Sequence, residues 1–221
     1  MLSGCSPKLE TIKEKPKIEN NPWFEIYENN HNLNPDYLGN LRFESGLFDL
    51  EVLKAGDYEE YLRTDWKTLE YDIGGSIFID PYCDLDSSNI SFYGHNYDSG
   101  DKMFTPLHIL KDEANYLDNR YLNLALKDEV RVYEIAHVFY VEIKNVDGYS
   151  YLEDNLYYMH SEYSEIELNN YLNAIKNCEF YETGVKINFG DRFITLQTCV
   201  SDHPELRLIV IAKEIENIQL R

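Results

Sequence analysis

The chain has 221 residues, enough for one domain with a sizeable core. Asp and Glu number 40 against 20 Lys and Arg, a net charge of -20, which is the opposite balance to that of a nucleic-acid-binding surface and sets that class aside. Tyr (19) and Phe (10) are abundant, which suits β-structure and large buried contacts.

Residues 1–21 are polar, with Lys8, Lys13, Lys15 and Lys17 ahead of Asn20 and Asn21, and are expected to be a flexible tether. Residues 22–221 are then expected to form one catalytic-sized domain. Leu2-Ser3-Gly4-Cys5 resembles the lipobox of bacterial lipoproteins, but a lipobox needs an apolar segment ahead of it and only Met1 and Leu2 precede Ser3. Either the natural start lies upstream or the match is chance. No run of about 18 apolar residues occurs, so the given residues hold no spanning helix.

Pro22 to Asn34 reads as turn-rich around Trp23-Phe24. Leu38 to Leu53 alternates weakly and fits one or two short strands. Asp57 to Leu62 reads as a short helical turn. From Gly75 the pattern becomes β: Ser76 to Asp80 is a compact apolar strand stopped by Pro81, and Asn89 to Tyr93 is the next, ending at Gly94. Phe104 to Ala114 reads as helical, because Leu107, Leu110 and Ala114 share one face. Strands follow at Tyr121–Ala125 and Glu129–Lys144. Ser164 and Glu167 form a capping box that opens a helix through Leu168, Leu172 and Ile175 to about Asn177. Further strands are expected at Val185–Phe189, Arg192–Cys199 and Leu206–Ile211, with Ser201–Glu205 as the intervening turn. The sum is mainly β (α+β), a barrel or sandwich with one sizeable late helix.

Four cysteines occur: Cys5, Cys83, Cys178 and Cys199. They make no CxxC pair, which argues against a zinc site, and the spacing leaves a Cys83–Cys178 bridge open. Cys199 ends an apolar run, and Arg207 lies eight residues later inside Leu206–Val210. An arginine in so apolar a strand needs a groove or a partner. If a turn separates the two segments, Cys199 and Arg207 fall on adjacent antiparallel strands with side chains on one face. A cysteine nucleophile also needs a base. His95, in Gly94-His95-Asn96 just past a strand, is the best placed of six histidines. His203 competes by proximity, but Ser201–Pro204 reads as a turn pointing away. His31, His108, His137 and His160 have no distinctive context.

Thr195-Leu196-Gln197-Thr198-Cys199, with Arg207 after it and Gly94-His95-Asn96 before it, resembles the signature of sortases, the cysteine transpeptidases of Gram-positive cell surfaces. Gly75–Asp80, Tyr93–Asn96, Met103-Phe104, Tyr61-Leu62 and Ile209–Lys213 are similar to segments of class B, over roughly residues 35–215. Two positions depart from that pattern: Tyr58 stands where an Asn is expected, and Gln197 where a small Ser is common.

The resemblance implies a sortase-type eight-stranded β-barrel, with an N-terminal helical segment and a helix inserted between strands 6 and 7. It implies cleavage of a C-terminal sorting motif after Thr, a thioacyl-enzyme at Cys199, and transfer to an amine of a peptidoglycan precursor or a pilin. His95 would move the proton and Arg207 would steady the oxyanion. Leu62, Gln197 and Thr198 would bind substrate, with Thr198 also a candidate oxyanion donor. No metal or cofactor is implied. The partners would be surface proteins with a sorting signal, at the outer face of the cell membrane, with tethering through the N-terminus if the natural start lies upstream. Two alternatives are a cysteine hydrolase with water as acceptor and a weakly active surface-binding domain on the same barrel.

Overall fold

The structure is a computed structural model, and it describes residues 22–97, 103–142 and 160–220. The expected tether, with its lipobox-like Leu2–Cys5, lies outside the described residues. Eight strands form: β1 (Tyr37–Phe43), β2 (Asp49–Lys54), β3 (Ile77–Ile79), β4 (Asn89–Tyr93), β5 (Tyr121–Leu126), β6 (Glu129–Glu142), β7 (Phe193–Val200) and β8 (His203–Gln219). They close a barrel in the order β1-β2-β3-β4-β7-β8-β6-β5, with β5 returning to β1. The pairs β2–β3 and β4–β7 are parallel; the other pairings are antiparallel.

Closure follows from period-2 alternation. Ile77 and Ile79, Ile90 and Phe92, Ile194 and Leu196, and Leu208, Val210 and Ala212 all join one buried cluster. A short 3₁₀ helix, Thr105–Lys111, adds Leu107 and Leu110 to it, and Phe104 sits beside them. The alternate residues point outward. Two stretches of that outer face are covered by helix or loop. Helix α1 (Pro22–Leu33) and the loop after β2 cover Tyr37, Leu53 and Phe78, with Tyr27, Tyr61 and Trp66 in the contact. The helix between β6 and β7, Glu165–Ile175, buries Leu168, Tyr171 and Ile175 against Phe139, Phe193, Ile209 and Ile211. It is numbered α3, after the short α2 (Glu113–Asp118). The Ser164–Glu167 capping box opens α3 with both of its hydrogen bonds made.

Several expectations need correction. Pro22–Leu33 is a helix rather than a turn-rich stretch: tertiary packing of Tyr27 on Tyr37, with Tyr27 stacked on His31 one turn along the helix, overrides the weak helix propensity of its asparagines. Asp57–Leu62 stays a turn, closed by Asp57 Oδ1 accepting from the Glu59 and Glu60 amides at 2.9 and 3.0 Å. The helix expected over Phe104–Ala114 is split, because extended Asp112 ends the 3₁₀ turn and caps α2. Val185–Phe189 forms no strand. Both edges of β7 are already taken, by β4 and β8, so the closed barrel offers that segment no partner. It packs instead through Val185 and Ile187 beside α3. The final turn is shorter than expected, Ser201-Asp202 alone, and β8 already begins at His203. Cys83 and Cys178 are free thiols, which closes the question of a bridge between them. Among the described residues no helix is long and apolar enough to cross a membrane.

Candidate active site

The parallel β4–β7 pair forms the floor of a groove on the barrel's outer face. The groove encloses about 190 Å³ and is lined by Leu62, Ser76, Phe78, Tyr93, Gly94, His95, Gln197, Thr198, Cys199 and Arg207. Cys199 is half-buried at the end of β7, with Arg207 directly opposite it on β8. Their alternation with the inward residues Leu196 and Leu208 puts both on the outer side. Arg207 Nη1 donates to the carbonyls of Pro204 (2.7 Å) and Leu206 (2.8 Å), so its own strand holds the guanidinium at the rim.

His95 enters from the other side. At Gly94 the chain leaves β4 between Ile77 and Phe104, and a Cβ there would lie 2.3 Å from Ile77 Cδ1 and 2.7 Å from Phe104 Cδ2. Only glycine permits so close an exit. His95 Nε2 lies 2.8 Å from the Leu62 carbonyl; an oxygen that only accepts fixes the proton on Nε2. Burial pushes the His95 pKa down, the Leu62 carbonyl pulls it partly back up, and nearby Arg63 lowers it further. The imidazole is therefore mostly neutral at neutral pH. A carbonyl orients the ring as a carboxylate would, without stabilising its cation as strongly.

Gln197 lies on the outer face next to Tyr93, its register partner on β4. Thr198 borders the groove, but its side chain alternates inward opposite Leu208, and its buried Oγ1 has no hydrogen-bond partner among the described residues. That placement takes the hydroxyl away from the groove and leaves its backbone there. Tyr58 is tied into the groove wall: its phenol and that of Tyr93 both donate to Asp80 Oδ2, at 2.9 and 2.8 Å. Burial and Asp80 push the Tyr58 pKa up to about 12, so it remains a donor. His203 pairs with Glu205 at 3.2 Å on the surface, away from the groove.

Two contacts were not legible in the sequence. His108 Nε2 donates to the Cys199 carbonyl at 3.0 Å, across 91 residues of chain, and no local pattern marks such a partner. Asp80 directly follows β3, at the end of the strand expected over Ser76–Asp80, but its two tyrosine donors are set by the fold.

A closed eight-stranded barrel with thiol, imidazole and guanidinium in one outer groove defines the class of sortase-fold enzymes. No family profile matches the chain. Sortase B of Listeria monocytogenes is 29% identical over 191 residues, which are 82% of this chain and 70% of that protein. The crystal structure of Clostridium perfringens sortase B aligns with a TM-score of 0.73 and 30% identity, over 86% of this chain and 99% of that one. A Staphylococcus aureus sortase B–substrate complex shares the fold at a TM-score of 0.73 and 21% identity, over 87% and 86% of the two chains. The chain belongs to the sortase B family of cysteine transpeptidases.

Proposed function

We propose that the chain cleaves a C-terminal sorting motif after Thr and transfers the acyl product to an amine, with Cys199, His95 and Arg207 as the working groups. One observation carries the reading: the Cys199 thiol, the Leu62-anchored His95 and Arg207 line a single groove floored by β4 and β7. The Cys199 thiolate adds to the threonine carbonyl carbon, and negative charge develops on its oxygen beside the Arg207 guanidinium. The C–N bond then breaks as the His95 imidazolium gives its proton to the departing nitrogen, leaving a thioester. An incoming amine gives a proton to neutral His95, adds to the thioester carbonyl, and expels the thiolate as the C–S bond breaks. Burial disfavours the His95 cation, so the neutral imidazole is its favoured form between proton transfers. Leu62, Gln197 and the Thr198 backbone border the substrate.

The S. aureus relative was solved with substrate, which supports a sorting peptide as the ligand of the matching groove. The natural donors are surface proteins with a sorting signal, the acceptor is a peptidoglycan-precursor or pilin amine, and the site of action is the outer face of the cell membrane. The test is a Thr-containing pentapeptide library with and without triglycine. Ligated product is expected from the wild type and none from Cys199→Ala, with an unchanged circular dichroism spectrum. Hydrolysis without ligation assigns water as the acceptor, and turnover by Cys199→Ala overturns the mechanism.

A further inference from the structure

We infer that His108 is a positioning residue for the nucleophile: it replaces the strand partner that Cys199 loses where β4 ends. The inference rests on the transpeptidase reading of the groove. Along a strand, carbonyls of residues i and i+2 point to the same neighbour. On β7 the Gln197 carbonyl accepts from the Gly94 amide at 3.3 Å, on the β4 side. The Cys199 carbonyl points to that side too, but β4 has already turned away at Gly94 to carry His95 into the groove. The lost ladder bond is replaced by His108 Nε2–H at 3.0 Å. Two residues on, Asn96 Nδ2 donates to Ser201 Oγ at 2.9 Å. The departing chain thus stays laced to β7 and its turn by one backbone amide and then two side chains.

The support for His108 is built into the fold. Its 3₁₀ helix packs Leu107 and Leu110 into the barrel core. The same helix is locked to the His95 segment: the Phe104 amide donates to the His95 carbonyl at 3.0 Å, and the Tyr97 amide donates to Thr105 Oγ1 at 2.7 Å. The segment that carries His95 and the helix that carries His108 are therefore braced against each other. Burial holds His108 neutral, against the pull of the Cys199 carbonyl and with help from Lys111. The neutral ring must carry its proton on Nε2 to donate here. The register shifts between Cys199 and Val200, so Cys199 is the last regularly paired residue of β7 before the turn. Strand ends fray unless held. Freeing the Cys199 peptide would let the thiol leave its line of attack, and small misplacements reduce rate steeply.

The test compares His108→Ala and His108→Gln, using the pentapeptide turned over fastest in the library with triglycine as acceptor. Gln keeps a donor at about the reach of Nε2. His108→Ala is expected to lower kcat by about tenfold, the scale of one hydrogen bond, with KM unchanged. His108→Gln is expected to recover most of that kcat. Hydrogen exchange over residues 195–205 should be faster in the Ala variant and near wild type in the Gln variant. Wild-type kcat in His108→Ala, or equal kcat in the two variants, overturns the inference. If His108→Ala does not fold, His108→Met fills the space without a donor, and equal kcat for Gln and Met overturns it. The exchange measurement needs no turnover, so a wild type that transfers no acyl group sinks the transpeptidase reading separately.

Discussion

Arg207 shows how one side chain can be both held and available. Its Nη1 is engaged by two carbonyls of β8, which fixes the guanidinium at the groove rim beside Cys199. A guanidinium has five N–H donors in a rigid fork, so donors remain for a developing oxyanion. Removing such a donor lowers kcat by about 100-fold or more, and that is the expectation for Arg207→Ala in the triglycine assay. Arg207→Lys keeps the charge but not the fork, and should recover only a small part of the loss. Wild-type kcat in Arg207→Ala would assign the residue to the barrel surface. Cys199, His95 and Arg207 were legible in the sequence because each sits in a distinctive local context: a strand end, a glycine exit, an apolar strand. His108 was not, because its role depends on the carbonyl of a residue 91 positions away. The Thr198 hydroxyl is turned from the groove for a simpler reason: in a strand, the neighbour of an outward residue faces inward.

The elements divide along the same line. Strands with apolar residues in alternation, such as Asn89–Tyr93 with Ile90 and Phe92, were legible to the residue, and so was the start of α3, since a capping box is local chemistry. Elements decided by remote packing were not. α1 depends on Tyr37, and the segment at Val185 is denied a strand by the closure of the barrel. The loop carrying Leu62 belongs to this second group. Gly75 sits under it with φ +58, and an added Cβ would lie 2.4 Å from the Leu62 carbonyl oxygen and 2.6 Å from that of Tyr61. The Leu62 oxygen is the one that orients His95. Gly75→Ala therefore strains the backbone and pushes away the anchor of the imidazole. The expected result is a loss of about 1–3 kcal/mol in stability, with a lower kcat measured well below the melting temperature of the variant. A destabilised variant with wild-type kcat would show that His95 does not need the Leu62 carbonyl.

For the molecule as a whole, the pH dependence of stability links the site to the fold. Both His95 and His108 have pKa values lowered from 6.5, and for both the first cause is burial. In the unfolded chain they bind protons near their ordinary pKa, whereas the folded protein resists protonation until a lower pH. The unfolded state therefore binds more protons within that interval, and stability rises with pH across it. The contribution is fully present above pH 6.5 and is lost as pH falls from there to the folded pKa values. The acidic surface acts in the other direction at lower pH. With 40 carboxylates against 20 cationic side chains, protonation near their ordinary pKa relieves self-repulsion. The histidine limb is separated from this background by comparing wild type with His108→Gln, which keeps the donor and removes the titrating group. Thermal melts of the two proteins should run parallel above pH 6.5, and the wild type should fall more steeply from there down to about pH 5, where the carboxylates take over. Curves that stay parallel throughout would mean that His108 takes up its proton as readily in the barrel as in the unfolded chain. The 3.0 Å bond to the Cys199 carbonyl would then be made equally well by the cation and by the neutral ring.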